Sequence, residues 1–171
     1  YHVKTNDEIF YSGKKISTLG SRYLMLNKPS GYLCSTIDEV YPSVLNFIDI
    51  EKSERLHIVG RLDVDTTGLV LTTDDGQWSH KVTSPKKKCD KTYQVHLAEN
   101  INKEAIEYFK KGILLHNESK PTLPACLQLL SKNEALLTIQ EGRDHQVKRM
   151  FAAIGNYVDG LHRISIGNII L

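Results

Sequence analysis

The chain contains 171 residues, of which 40% are hydrophobic, and its 22 Lys and Arg residues nearly balance 20 Asp and Glu residues. This composition is normal for a water-soluble domain with one sizeable core, and no apolar run approaches the roughly 20 residues that span a bilayer. The three cysteines, Cys34, Cys89 and Cys126, form no CxxC pair, so the sequence favours reduced cytoplasmic thiols over a zinc site or a disulfide framework.

The first 21 residues are expected to end a preceding domain and its linker. They contain neither a signal-peptide core nor a starting Met. At the other end, residues 169–171 form an apolar run that stops inside a strand-like segment. We therefore predict that both ends continue in a longer protein and that residues 22–171 form one domain.

Hydrophobic patterning and turn residues predict four elements in the first half of this domain. Pro29 and Gly31 end the first strand in a turn. Asp74 or Asp75 can cap the helix that Pro85 ends. In chain order, the predicted elements are a strand over 22–27, a short helix over 42–50, a buried strand over 69–73 and a helix over 77–83.

The second half intersperses strand and helix patterns. Tyr93 and Val95 share one face of a strand, whereas Val147, Met150 and Phe151 follow the apolar stripe of a helix. The predicted elements are a strand over 92–97, a helix over 102–111, strands over 125–130 and 135–140, a helix over 144–154 and a strand over 163–171. Because these elements do not repeat as regular βαβ units, the sequence predicts a mixed α+β domain with a largely antiparallel sheet and flanking helices.

The densest cluster of reactive side chains is Gly60-Arg61-Leu62-Asp63-Val64-Asp65-Thr66-Thr67-Gly68. Two glycines bracket two carboxylates between hydrophobic segments, which is where a rigid scaffold can present a reactive group. Taken alone, the spacing also fits an Asx-turn with capping carboxylates. It matches part of an EF-hand calcium loop as well, although the run 69–73 is strand-like and Asp74 stands where that loop has Glu. Asp63 and Asp65 could finally serve as the carboxylate pair of a retaining glycosidase.

Two further segments carry groups suited to a binding cleft. Glu141-Gly142-Arg143 opens the helix predicted over 144–154, and His145 and Lys148 share one face beside its apolar stripe. Spacing alone fits a solvated basic face equally well. Tyr93 lies on a strand, where a tyrosine usually belongs to the core but can also stack on an unpaired base.

Basic residues are concentrated, although the net charge is only +2. Five lysines fall within one short segment: Lys81, Lys86, Lys87, Lys88 and Lys91. Such a run is either a solvated surface or a track for the phosphates of a nucleic acid.

Together, these segments resemble the ordered motifs of the pseudouridine synthases, and the resemblance covers residues 22–171. The motifs are Leu26-Asn27-Lys28-Pro29-Ser30-Gly31, Gly60-Arg61-Leu62-Asp63 with Thr66 and Gly68, Lys91-Thr92-Tyr93, and Glu141-Gly142-Arg143 with His145-Gln146-Val147-Lys148-Arg149-Met150. Residues 65–80, 148–153 and 161–163 resemble the branch that modifies the small ribosomal subunit. The branch that modifies the large subunit (23S rRNA) shares the Gly60–Asp63 motif and is the alternative.

The resemblance implies the pseudouridine synthase fold, a catalytic cleft across the sheet, and a reaction that needs no cofactor and no metal. Asp63 matches the catalytic carboxylate of the family, Lys148 would pair with it, and Tyr93 would stack on the flipped uracil. Arg61 would fill the space left by the flipped base or hold a phosphate. The other expected RNA contacts are Lys28, Arg143, His145, Gln146, Arg149, Lys86, Lys87 and Lys88. Asp144 departs from the family's pattern, which leaves its role open.

The resemblance also implies a partner, namely 16S rRNA alone or in a partly assembled small subunit, with uridine 516 as the target. The family carries an N-terminal S4-type RNA-binding module, of which residues 1–21 would be the remnant and linker. We expect a cytoplasmic monomer that does not act on membranes. A catalytically silent RNA-binding module is the alternative from another functional class, and it would need Asp63 or Tyr93 to be lost.

Overall fold

The computed structural model describes residues 2–4, 7–16 and 20–171. A separate antiparallel hairpin of β1 (Ile9–Tyr11) and β2 (Lys14–Ile16) comes first. The other strands are β3 (Tyr23–Lys28), β4 (His57–Val59), β5 (Thr67–Thr73), β6 (Lys91–Leu97), β7 (Cys126–Leu129), β8 (Glu134–Ile139), β9 (Val158–Ile166) and β10 (Ile169–Ile170). The α-helices of the described residues are α1 (Gly76–Thr83), α2 (Glu104–Lys111) and α3 (Gln146–Ala153).

Eight strands form one mixed sheet, in the order β3-β5-β9-β6-β8-β7, with β4 added beside β5 and β10 beside β9. The β5–β9 pair is parallel, and every other pair in this sheet is antiparallel. The mixed α+β prediction is therefore confirmed. Every β5 residue after Thr67 is buried, because helices or loops cover both faces of this strand.

The alternating side chains of β5 divide the core into two clusters. Val70 joins the larger cluster with Tyr93, Phe109 and Phe151, so α2 and α3 pack on that face of the sheet. The rings of Phe109 and Phe151 meet edge to face at 5.0 Å. Leu69 and Leu71 point to the smaller cluster, whose partly buried members include Trp78 and Val82 of α1. The larger cluster therefore fixes α3, which borders the candidate site.

Local chemistry sets the helix boundaries. Asp75 caps α1 by accepting a hydrogen bond from the Trp78 amide at 3.0 Å, as the sequence predicted. The segment predicted as a helix over 42–50 contains only a 3₁₀ turn at Val44–Phe47. Helix α3 begins two residues later than predicted, because His145 has a left-handed backbone with φ 46°.

The strand predicted over 163–171 was wrong in its bounds. Strand β9 already begins at Val158, and a turn at Gly167 (φ 57°) reverses the chain into β10. The turn is fixed by the Gly167 amide, which donates to Asp90 O at 2.7 Å.

The predicted N-terminal remnant over 1–21 lies partly outside the described residues, since residues 1, 5, 6 and 17–19 are not among them. Among those described, the β1–β2 hairpin pairs with no strand of the main sheet. No helix in the described ranges is long and apolar enough to cross a bilayer.

Candidate active site

An open cleft of about 790 Å³ lies where the loop between β4 and β5 meets the start of α3. The loop contributes Gly60–Thr66 and the helix side contributes Gly142–Lys148. Tyr93 of β6 and Arg163 of β9 also line the cleft. Two motifs that are about 80 residues apart in the chain therefore face each other across one space.

A buried arginine of β9 holds the two ends of the loop that carries Asp63 from the side of the sheet. Arg163 is 1% exposed, and its Nε donates to Leu69 O at 2.8 Å while one terminal nitrogen donates to Gly60 O. Gly68 lets the parallel strands β5 and β9 approach, because a Cβ at this position (φ 107°) would clash with the backbone of Arg163. Both contacts fix the backbone on either side of Asp63.

Lys28 holds the same loop from the other side. Its Nζ is buried and donates to Pro29 O at 2.9 Å, Val64 O at 3.0 Å and Thr66 O at 2.7 Å. Burial lowers the pKa of Lys28. The expectation that Lys28 binds RNA does not fit this position, because all three of its N–H groups are used inside the protein.

Four charged or titratable side chains meet above this loop. His145 Nδ1 lies 2.8 Å from Asp63 Oδ2, and Lys148 Nζ lies 3.2 Å from the same oxygen. Lys148 Nζ also contacts both oxygens of Asp65, at 2.7 and 2.9 Å. The ammonium thus bridges the two carboxylates, of which Asp63 is 27% and Asp65 68% exposed.

The contacts shift the protonation equilibria in the directions that pairing predicts. The hydrogen bond from Lys148 lowers the pKa of Asp65 below its ordinary value. Burial opposes the Lys148 ammonium, but hydrogen bonds to Asp65 and Asp63 outweigh burial, so the pKa of Lys148 is raised. The hydrogen bond to Asp63 likewise raises the pKa of His145. The cleft therefore presents a carboxylate with cationic or proton-donating neighbours.

Comparison with known proteins identifies the family of this chain. The family model described as RNA pseudouridylate synthase matches residues 22–153, which include Asp63 and Lys148. The chain belongs to this family.

Its relatives include proteins named ribosomal small subunit pseudouridine synthase A. The one from Escherichia coli K12 is 53% identical over 165 residues, which cover 96% of this chain and 71% of the relative. The one from Vibrio cholerae is 52% identical over 171 residues, covering 100% of this chain and 74% of the relative. A crystal structure described as pseudouridylate synthase matches with a TM-score of 0.85 and 49% identity, over 100% of this chain and 74% of that one. Human RNA pseudouridylate synthase domain containing 1 shares the fold, with a TM-score of 0.54 and 16% identity over 84% and 74% of the two chains.

Tyr93 combines the two environments that its sequence left open. It is 7% exposed and belongs to the larger core cluster, yet it also lines the cleft. Its hydroxyl lies 3.4 Å from a terminal nitrogen of Arg163, and the Arg163 guanidinium carbon is 5.9 Å from the ring centroid. Tyr93 is thus a rigid wall of the cleft in this pseudouridine synthase, and Arg61 is exposed at its rim.

Two of the expected RNA contacts, Arg143 and Gln146, are occupied inside the protein. Arg143 donates to Lys120 O at 2.9 Å, to Pro121 O at 2.7 Å and to Glu141 at 3.1 Å. Gln146 is buried, donates to Glu141 Oε1 at 2.9 Å and accepts from the Arg143 amide. These contacts do not fit the expected RNA-binding roles, because they use the polar groups to join α3 to the segment before β7.

Arg149 has a similar position. It donates to His116 O at 2.9 Å, to Glu118 at 3.0 Å and to Asp144 O at 3.1 Å. Its side chain therefore ties α3 to residues 116–118, and the expectation that it contacts RNA does not fit this geometry.

The lysine cluster of the sequence contains both exposed and buried side chains. Lys86, Lys87 and Lys88 are exposed in and after a 3₁₀ turn, where their charges are available to a polyanion. Lys91 is 7% exposed, and burial lowers its pKa. Lys91 therefore lines the cleft rather than extending the surface cluster.

Sequence patterns missed two contributions to the site. In the sequence, Arg163 belongs to the segment 161–163 that resembles the small-subunit branch. Nothing in a strand pattern indicates that its guanidinium donates to Gly60 O. The resemblance to the family gives Asp65 no role beside Asp63, although Asp65 makes the shorter contacts with Lys148. The calcium-loop alternative fails, because residues 67–73 form strand β5 and cannot wrap around a cation.

Proposed function

We propose that this protein isomerises one uridine of 16S rRNA to pseudouridine in the cleft, with Asp63 as the catalytic carboxylate. The protein is a pseudouridine synthase of the ribosomal type. The observation that carries the assignment of Asp63 is its position in the cleft, fixed by Lys148 at 3.2 Å and backed by a loop that two buried cations hold.

The reaction breaks the bond between uracil N1 and C1′ and forms a bond between C5 and C1′. The C5 proton leaves and N1 gains a proton, so the product is an isomer and no electrons enter or leave. Asp63 begins the reaction either by bonding to the sugar or base or by accepting a sugar proton, and both routes need one ionised carboxylate.

The uridine must leave its base stack to reach Asp63, because a stacked base hides the atoms that react. Tyr93 offers a buried, rigid ring beside Asp63, on which a flipped uracil can stack. Arg61 at the exposed rim can fill the vacated space or hold a phosphate. Lys86, Lys87 and Lys88 supply further positive charge for the backbone of the RNA.

The small-subunit target rests on the relatives, whose printed name is ribosomal small subunit pseudouridine synthase A. We assign uridine 516 as the modified position and 16S rRNA, free or in a partly assembled subunit, as the partner. We further propose that the protein acts as a cytoplasmic monomer and that residues 1–21 are the remnant of an S4-type RNA-binding module and its linker.

The test is to map pseudouridines in the rRNA of cells that lack the gene. We expect the loss of one pseudouridine, in 16S rRNA, and its return when the gene is supplied on a plasmid. A plasmid encoding Asp63→Asn should not restore the modification although the protein accumulates. Loss of a 23S pseudouridine instead would overturn the small-subunit assignment, and an unchanged map in both rRNAs would overturn the proposed function.

A further inference from the structure

We propose that His145 is a positioning residue that holds one oxygen of Asp63, Oδ2, so that the other oxygen, Oδ1, faces the substrate and reacts. This inference deepens the proposed function and rests on it. It assigns His145 to the carboxylate rather than to the RNA backbone, and it distinguishes the two oxygens of one catalytic group.

The distribution of donors separates the two oxygens. Both His145 Nδ1, at 2.8 Å, and Lys148 Nζ, at 3.2 Å, contact Oδ2. No side chain among the described residues donates to Oδ1. Because a carboxylate rotates about its terminal bond until it is held, two donors on one oxygen set the direction of the other.

The two donors differ in how many carboxylates they contact. Among the described residues, Asp63 is the one carboxylate within hydrogen-bond distance of His145, whereas Lys148 contacts two. Lys148 makes its shorter contacts with Asp65, at 2.7 and 2.9 Å, and reaches Asp63 from that position. A lysine ammonium is also a flexible point charge, whereas an imidazole N–H has one direction. His145 therefore supplies the directional part of the anchor, and Lys148 supplies most of the charge.

The backbone at His145 is unusual in a way that serves this contact. His145 is the residue before α3 and adopts φ 46°, a left-handed conformation that is strained for a residue other than glycine. The Gln146 amide donates to Arg143 O and the Arg149 amide donates to His145 O, which holds the turn on both sides. With this backbone, the imidazole Nδ1 lies 2.8 Å from Asp63 Oδ2.

The contact with Asp63 determines which ring nitrogen of His145 carries the proton. An ionised carboxylate has no proton to give, so His145 must donate from Nδ1 and carry its proton there when neutral. The second ring nitrogen, Nε2, lies 3.7 Å from Asp144 Oδ1. Asp144, which departs from the pattern of the family, thus faces the open side of the ring.

The charges around the ring also predict a pH dependence. The hydrogen bond to Asp63 and its charge raise the pKa of His145, partial burial lowers it, Asp144 raises it further, and the Lys148 ammonium opposes the rise. The imidazolium therefore persists to a higher pH than in a free histidine. Below this raised pKa the imidazolium ring carries a full positive charge beside Oδ2 and lowers the basicity and nucleophilicity of the Asp63 carboxylate, so the rate of isomerisation should fall on the acidic side.

Three variants separate positioning from simple structural support. His145→Ala removes the donor, whereas the amide nitrogen of His145→Asn can replace Nδ1. With a 16S rRNA fragment under single-turnover conditions, we expect His145→Ala to lower the maximal rate about 10²-fold, since small misplacement of a reacting group has effects of this size. RNA affinity by filter binding should stay within about twofold, because no phosphate contact is lost. His145→Asn should recover most of the rate. Its rate should no longer show the decrease at acidic pH that protonation of His145 causes. His57→Ala, which changes an exposed histidine on β4, is the control.

A titration that needs no turnover accompanies the kinetics. The His145 ring proton signals in the NMR spectrum should titrate above the ordinary histidine range in the wild-type protein, lower in Asp144→Asn and lower again in Asp63→Asn. A wild-type rate in His145→Ala, or an ordinary titration of His145 in the wild-type protein, would overturn the assignment. If the wild-type protein does not modify the RNA at all, the proposed function fails, and the titration still decides whether His145 contacts Asp63.

Discussion

Two pairs of basic side chains contact the loop that carries Asp63 or its carboxylate, and they are held in different ways. Lys28 and Arg163 lie below the loop that carries Asp63, are each 1% exposed, and donate mostly to backbone carbonyls. Lys148 and His145 lie above it, are 29% and 53% exposed, and contact carboxylate side chains. The buried pair holds the backbone of this loop, and the exposed pair contacts the carboxylate of Asp63.

The two pairs have different partners because one pair is buried away from water and the other is close to the solvent. A buried cation loses its hydration, so its N–H groups must be satisfied inside the protein, and carbonyl oxygens do this without a second buried charge. Near the surface, opposite charges interact weakly but can respond to pH and to an approaching polyanion. Mutations in the buried pair should therefore damage stability most, and mutations in the exposed pair should damage catalysis most.

Arg163→Met should cause the largest loss of stability, because it affects both the fold and the loop that carries Asp63. It leaves Gly60 O and Leu69 O without a buried donor, which costs about 1–3 kcal/mol for each group. We expect the free energy of unfolding in urea to fall by about 2–6 kcal/mol and activity to be lost with it. The lysine of Arg163→Lys can reach one of the two carbonyls, so the free energy of unfolding of this variant should lie between those of wild type and Arg163→Met. A wild-type unfolding curve for Arg163→Met would contradict the supporting role of Arg163.

Lys28→Met should separate the loop position from overall stability. Three carbonyls lose their donor, but a desolvated ammonium is also removed, so the loss in unfolding free energy should be about 1–3 kcal/mol. Because the loop carrying Asp63 loses its tether, the single-turnover rate should fall about 10²-fold even where the protein stays folded. A loss of RNA affinity with an unchanged rate would return Lys28 to an RNA-binding role.

Lys148→Met should affect catalysis and leave stability nearly unchanged, as expected for the exposed pair. The two carboxylates of Asp63 and Asp65 lose their shared cation, and the rate should fall by about 10²-fold, a typical cost of one electrostatic donor. RNA affinity should decrease by no more than one phosphate contact, seen as a salt slope that changes by about one. Lys148→Arg keeps the charge and should retain more activity than Lys148→Met, and equal rates in both variants would argue against a role for the charge.

Tyr93→Phe should have the smallest effect, because the ring remains and only the hydroxyl near Arg163 is lost. We expect less than about 1.5 kcal/mol in stability and a binding constant close to wild type. Tyr93→Ala should by contrast lose roughly 1–3 kcal/mol of base stacking together with core packing. If RNA binding by a folded Tyr93→Ala protein equals wild type, Tyr93 serves the core alone.

The sequence predicted the parts of the site that local chemistry determines. The cap at Asp75, the strand face of Tyr93 and the apolar stripe of α3 all follow from spacing within a few residues. The roles of Lys28 and Arg163 could not be predicted, because their carbonyl partners lie as far as 38 and 103 residues away and carry no side-chain signature. Arg143 and Arg149 were predicted to bind RNA for a related reason, since a sequence does not show that Glu141 and Glu118 already occupy them.

The most direct test of the account compares Asp63→Asn with Asp65→Asn. Both changes remove one carboxylate beside Lys148, keep the size of the side chain and differ only in which oxygen pair is lost. We measure single-turnover isomerisation of a 16S rRNA fragment and filter binding of the same RNA. Asp63→Asn should lower the rate by at least about 10⁴-fold with nearly unchanged affinity, whereas Asp65→Asn, an exposed partner, should stay within about fivefold of wild type. An inactive Asp65→Asn beside an active Asp63→Asn would contradict the central claim.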